Sequence, residues 1–179
     1  MKKENFESML PVIAVVQQYQ DAIENNLKLK HELPALTLMY SLIDALSWLS
    51  STSNNTKIRD RFTLWVDKYL LKGGNLECSA LDLYAARCAI IHTLTSDSNL
   101  SENGYAKRAI YTTDYSNKKH LENKKIDFDR FVIININLLF RELGSGILNF
   151  AKHVDTNKTV QKQVIAKAKK YYFLLPKIT

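Results

Sequence analysis

Apolar side chains recur with a helical period along almost the whole chain. Residues 5–27 alternate apolar and polar blocks (Phe6, Leu10, Ile13, Val16, Ala22, Ile23) and predict a first amphipathic helix. Asn25-Asn26 and the basic stretch 28–31 make a loop, and Pro34 suits the first turn of a second helix. That helix, 34–50, is apolar on nearly every side; the polar stretch 50–55 separates it from a third, 56–71. The third carries Ile58, Phe62, Trp65, Val66, Tyr69 and Leu70 on one face and ends at Gly73-Gly74. Ser79 reads as an N-cap, with Asp82 in capping-box position, for a helix over 80–95 that is again apolar nearly all round.

Residues 96–125 are the least helical part, polar and rich in Ser and Asn. Within them Ala109-Ile110-Tyr111-Thr112-Thr113 has strand-like composition. Helix returns from Phe128 to about His153, with Gly144 and Gly146 as a kink or close-packing point. Asp155 or Thr156 caps a last, basic helix over about 156–173, ahead of Pro176. The pattern predicts a single all-α domain over 1–179, a helical bundle of five to six helices with one short strand or hairpin around 107–115.

Composition agrees with one globular unit. The chain has 179 residues, 46% hydrophobic and 24% charged, with only 5 Gly and 3 Pro. That excludes a collagen-like or disordered chain, and a domain near this size buries roughly 70% of its unfolded surface. The longest nearly apolar run, 131–140, contains Asn135 and Asn137 and falls short of the roughly 20 residues a membrane helix needs. Lys2 and Lys3 before the apolar stretch 9–16 imitate a signal peptide. Glu4, Glu7 and the following Gln17-Gln18-Tyr19-Gln20 do not fit one. A soluble, cytoplasmic protein with no membrane partner is expected.

Cys78 and Cys88 are too few for a disulfide framework and lack C-x-x-C spacing, and Cys88 reads as a small core residue. The net charge of +7 is concentrated at the end of the chain: residues 156–179 hold six lysines and no acid. Such a helix, through Lys162 and Lys169, suits phosphate backbones; a solvated helix face with lysines near its C-terminal end explains it equally. Tyr105, Lys107, Arg108 and Tyr111 interleave aromatic and basic residues as an RNA-binding surface does, or as a solvated edge strand does.

The sharpest signals are polar residues inside buried-type helices. Arg87 has Leu83, Tyr84, Ile90 and Ile91 as its helical neighbours and no local counterion. An unpaired buried guanidinium costs several kcal/mol, so its partner must come from elsewhere. Asp44 is the lone charge after Pro34 in helix 34–50. Two orphan charges of opposite sign predict that Asp44 and Arg87 meet. His92 lies five residues after Arg87, roughly 140° around the helix and 7.5 Å along it, so the two can flank one cleft. A register-fixing ion pair and an ordinary helix histidine would give the same pattern without chemistry.

Arg87-Cys88-Ala89-Ile90-Ile91-His92 resembles the R-x4–6-H motif of the HEPN superfamily, small all-α proteins of defence and toxin systems. Asp44 resembles the companion polar position on an earlier helix, and the block 80–96 is similar to a subgroup of bacterial proteins of this length. The resemblance covers roughly residues 34–150. It implies a homodimer whose motif helices face each other across one composite cleft, and a metal-independent endoribonuclease without a cofactor. His92 would be general base or acid, Arg87 would hold the scissile phosphate, and Asp44 would orient Arg87 or tune His92. RNA would be cut to 2′,3′-cyclic phosphate ends. As the toxic or defence component of a bacterial system, the protein would have a cognate antitoxin protein as partner. Catalytic members commonly place a polar residue directly after the motif arginine, where this chain has Cys88. That departure favours the alternative, a non-catalytic HEPN-like helical dimer that binds a protein partner or nucleic acid.

Other chemistry lacks its motifs. His31, His92, His120 and His153 are scattered, with no metal-ligand spacing. There is no G-x-G-x-x-G, Walker loop or G-x-S-x-G elbow.

Overall fold

The computed structural model describes residues 3–51, 56–114 and 127–169. They form seven helices and one two-stranded sheet: α1 (Lys3–Lys28), α2 (Glu32–Ser50), α3 (Ile58–Trp65), α4 (Ala80–Thr93), α5 (Asn99–Glu102), β1 (Arg108–Thr112), β2 (Phe131–Asn135), α6 (Ile136–Thr156) and α7 (Lys158–Ala168). The described residues are mostly helical, with seven helices among them where five to six were expected for the chain.

Helix α2 is the axis of the core. Its apolar residues point in every direction, and it meets α1, α3, α4, α6 and α7. Ala35, Leu36, Met39, Tyr40, Leu42, Ile43, Leu46 and Leu49 are all buried, as expected of a helix hydrophobic all round. It is the one described helix long and apolar enough to cross a membrane, and half of that stretch is buried inside the protein. Its C-terminus would leave carbonyls unsatisfied. Lys167 of α7 closes it, donating from Nζ to the Trp48 and Ser51 carbonyls and to Ser51 Oγ at 2.5, 2.7 and 2.8 Å. The same ammonium lies over the Trp48 ring, 5.0 Å from its centroid.

Helix α3 does not stop at Trp65. It widens into a π-turn over Val66–Leu70 and tightens into a 3₁₀ turn over Leu71–Gly73. Gly74, at φ +67°, takes the left-handed conformation that ends it. Helix α6 packs against the π-turn at Gly146, where an added Cβ would lie 3.2 Å from Leu70 Cα and 3.3 Å from Trp65 Cη2. Gly146 is the close-packing point; Gly144 has open space around it.

Three local expectations are corrected. The strand-like stretch is β1, but it pairs in parallel with β2, Arg108 opposite Phe131 through Thr112 opposite Asn135. It is therefore not a hairpin. A parallel pair cannot be joined by a tight turn. Residues 131–135, expected as helix, are β2: Val132, Ile133 and Ile134 are β-branched and suit a strand. Asn135 then caps α6, its Oδ1 accepting from the Leu138 amide at 2.9 Å. The last helix starts at Lys158 with Asn157 as its cap, rather than Asp155 or Thr156, and residues 170–173 lie outside the described residues.

Strand β1 is fastened to the helices at both ends. The Lys107 amide donates to Asp82 Oδ1 at 2.7 Å. Tyr111 shares a 2.8 Å hydroxyl–hydroxyl hydrogen bond with the buried Tyr40 of α2.

Gly146→Val should lower stability by about 1–3 kcal/mol, because its branches meet backbone atoms that cannot swing away. Gly144→Ala should raise it by about 0.5–1 kcal/mol through helix propensity alone. Urea denaturation of the two variants checks both signs.

Candidate functional site

Helix α4 places the site. Ser79 and Asp82 start it with a reciprocal capping box, Ser79 Oγ accepting from the Asp82 amide and Asp82 Oδ2 accepting from the Ser79 amide. Because Asp82 Oδ1 also takes the Lys107 amide, one buried carboxylate fixes both the start of α4 and the start of β1. The helix ends at Leu94, at φ +54°. Its buried side, Leu83, Ala86 and Ile90, joins the core.

Asp44 of α2 and Arg87 of α4 form an ion pair. Arg87 Nε donates to Asp44 Oδ2 at 2.7 Å, and Nη2 donates to the same oxygen. Their side chains are only 17% and 11% exposed, so the charges interact with little screening. Burial works against the Arg87 charge, but the hydrogen bonds and charge of Asp44 outweigh it and hold the guanidinium above its ordinary pKa.

Arg87 also reaches His92. Its Nη1 lies 3.1 Å from His92 Nε2. A guanidinium has no acceptor, so a hydrogen bond here requires Nε2 as its acceptor. The exposed His92 thus keeps a lone pair aimed at a cation. Asp44 Oδ1 is buried and has no hydrogen-bond partner.

His92 lines an open groove of about 700 Å³. One bank is the start of α3, with Lys57, Ile58 and Arg59. The floor is a stripe of α4, Tyr84, Cys88 and His92, spaced four residues apart on one face. The far bank is Thr93 and the segment Asp97 to Leu100. Arg87 is not among the lining residues and meets the groove through His92. Cys88 is half-buried on this floor, not in the core. Burial and then Cys88 push the Tyr84 phenol above its ordinary pKa, against the pull of Arg87, so it is a hydrogen-bond donor at neutral pH. Phe62 braces the Tyr84 ring edge-on at a centroid distance of 5.4 Å.

The four basic residues expected to bind nucleic acid are not gathered here. Lys107 donates to the Phe128 carbonyl at 2.6 Å and borders a separate hollow of about 420 Å³ beside β2. Arg108 is ion-paired with Asp97 and stacked over Phe131. Lys162 and Lys169 are exposed on α7, whose main neighbours are α1, α2 and α6. His31 and His153 stand on other elements, the latter against Tyr69, and His120 lies outside the described residues. Among the described residues no three His, Cys, Asp or Glu side chains converge as a metal site. Lys57, Arg59 and Tyr84 are not singled out by the sequence; the Tyr84-Cys88-His92 spacing is the signal that could have found Tyr84, and no sequence signal marks Lys57 and Arg59.

Comparison with protein-family models, curated proteins and solved structures finds no match to this chain.

Two outcomes check this geometry. Asp44→Asn should cost about 2–4 kcal/mol by leaving Arg87 uncompensated, whereas Asp44→Asn with Arg87→Met should cost clearly less than the two single changes added together. Additive losses in denaturant melts would contradict the pairing. Burial, then Asp82, pushes the Cys78 thiol up to about 12. At pH 8 about one thiol in ten thousand would then be ionised, so iodoacetamide should label Cys88 well before Cys78, read by peptide mass spectrometry.

Proposed function

We propose that the protein is a HEPN-like, metal-independent endoribonuclease of a bacterial toxin or defence system, working in the cytoplasm. The observation that carries this reading is the chain from Asp44 through Arg87 to His92, with His92 exposed in an open groove.

The chemistry follows from the donors. Asp44 occupies one hydrogen on Nε and one on Nη2, and His92 occupies one on Nη1. Of five guanidinium hydrogens these contacts leave two, for Cys88 or a phosphate oxygen. A phosphate arriving at Arg87 would compete with His92 for Nη1 and release the Nε2 lone pair. That lone pair would take the ribose 2′-hydroxyl proton as the 2′-oxygen bonds to phosphorus. The P–O5′ bond then breaks and the 5′-oxygen takes a proton from a His92 imidazolium, giving a 2′,3′-cyclic phosphate and a 5′-hydroxyl. Arg87 would stabilise the extra negative charge of the five-coordinate phosphorus, where a fixed planar fork outperforms an ammonium. Asp44 keeps that fork in place.

A homodimeric helical bundle with two copies of α4 facing each other would bring two imidazoles to one phosphodiester, one accepting and one donating a proton. Ile58 on the groove and Leu94 just beyond His92 are 46% and 62% exposed, apolar surface that a second copy would cover. A cognate antitoxin protein would bind over the same cleft.

The second reading is a non-catalytic helical dimer that binds a protein partner or nucleic acid. The observation that favours it is Arg87 itself, 11% exposed and off the groove lining, as a pair that only fixes helix register would be.

Purified protein should cut single-stranded RNA in EDTA and leave cyclic phosphate ends. His92→Ala should lower the rate by about 10²–10⁴-fold with an unchanged melting temperature. Intact RNA across varied sequences, under conditions where the protein is folded and dimeric, would overturn the ribonuclease reading. It would leave the binding reading standing.

A further inference from the structure

We infer that the groove is a track for single-stranded RNA, with Tyr84 as a base-stacking platform and Lys57 and Arg59 as the grips for a phosphate next to the one being cut. The inference rests on the ribonuclease reading for its substrate and adds residues that reading does not use.

The charges in the groove are unequal. Lys57 and Arg59 stand exposed on the α3 bank. The acidic lining residue, Asp97, is already neutralised by its ion pair with Arg108. Arg59 has only a 3.4 Å contact to the neighbouring Asp60, with both side chains about half exposed, a pair a phosphate can outcompete. The surplus in the groove is therefore positive, and it lies on the α3 bank of the groove that His92 also lines. Lys57 and Arg59 are held there by the first turn of α3, and α3 packs on both α2 and α4.

The floor supplies the second element. Tyr84 and His92 are eight residues apart, roughly 12 Å along α4, so a base on Tyr84 lies beyond the nucleotide cut at His92. The ring lines the groove, is half-buried and is braced by Phe62, so a base would stack on it at little entropic cost. Stacking needs an unpaired base, because a duplex keeps its bases stacked on each other. Lys57, Arg59 and Tyr84 are positioning residues in this scheme: they hold the strand and take no part in proton transfer.

The test uses the full chain carrying His92→Ala, to prevent cleavage, and a fluorescent ten-nucleotide RNA read by anisotropy. The parent should bind the single strand more tightly than the same sequence as a duplex. Adding Lys57→Ala and Arg59→Ala should weaken binding and flatten the salt dependence by about 0.7 in log–log slope, the value for one phosphate no longer neutralised. Tyr84→Leu should weaken it about tenfold, while Tyr84→Phe, which keeps the ring, should bind like the parent. Circular dichroism melts identify any variant that is unfolded, and Tyr84→Phe separates loss of the ring from loss of the fold. Equal affinity and slope for parent and double variant, or equal affinity for single strand and duplex, would overturn the inference. With His92 restored, cleavage at unchanged KM in the double variant would sink the track and leave the ribonuclease standing. Groove-dependent binding without any cleavage by the wild type would do the reverse.

Discussion

The ion pair between Asp44 and Arg87 is the contact on which the rest of the site depends. It joins the two helices whose sequences are most thoroughly apolar, and neither charge is tolerable in that setting without the other. Because Asp44 Oδ2 takes both Nε and Nη2, the guanidinium plane is fixed, and Nη1 is turned toward the groove. That orientation sets Nη1 against His92 Nε2. A stability feature and a chemical one are here the same hydrogen bonds.

The surrounding fold keeps α2 and α4 from shifting against each other. Lys167 closes the end of α2, and Asp82 ties the start of α4 to the sheet. Tyr40 and Tyr111 bind α2 to the same strand. The basic C-terminal helix thus helps to hold the fold together, since at least one of its lysines, partly buried, serves carbonyls at the end of another helix. Its remaining exposed lysines lie away from the groove elements.

Much of this is legible in the chain. Periodicity locates α1 to α4 to within a few residues, and the two orphan charges identify each other because burial makes an unpaired charge too costly. The Ser79–Asp82 cap and the Gly73-Gly74 stop are readable from local chemistry. The misreading of residues 131–135 has a physical cause. An apolar run has the same appearance in a buried strand and a buried helix, so β2 merges with α6. The β-branched Val132-Ile133-Ile134 and the capping Asn135 are the local signals separating them. The groove is less legible, since its banks come from residues 57–59, 84–93 and 97–100, joined by tertiary packing that spacing does not encode. Cys88 reads as core because its neighbours are apolar, although it shares the Tyr84–His92 face.

The central claim is that Arg87, held by Asp44, keeps His92 Nε2 as an acceptor. Nitrogen-15 NMR of histidine-labelled protein at pH 8.5 tests it most directly. The account predicts that His92 carries its hydrogen on Nδ1, with Nε2 resonating as an unprotonated nitrogen, and that Arg87→Met removes this preference. A His92 with its hydrogen on Nε2, or one indifferent to Arg87, would contradict it.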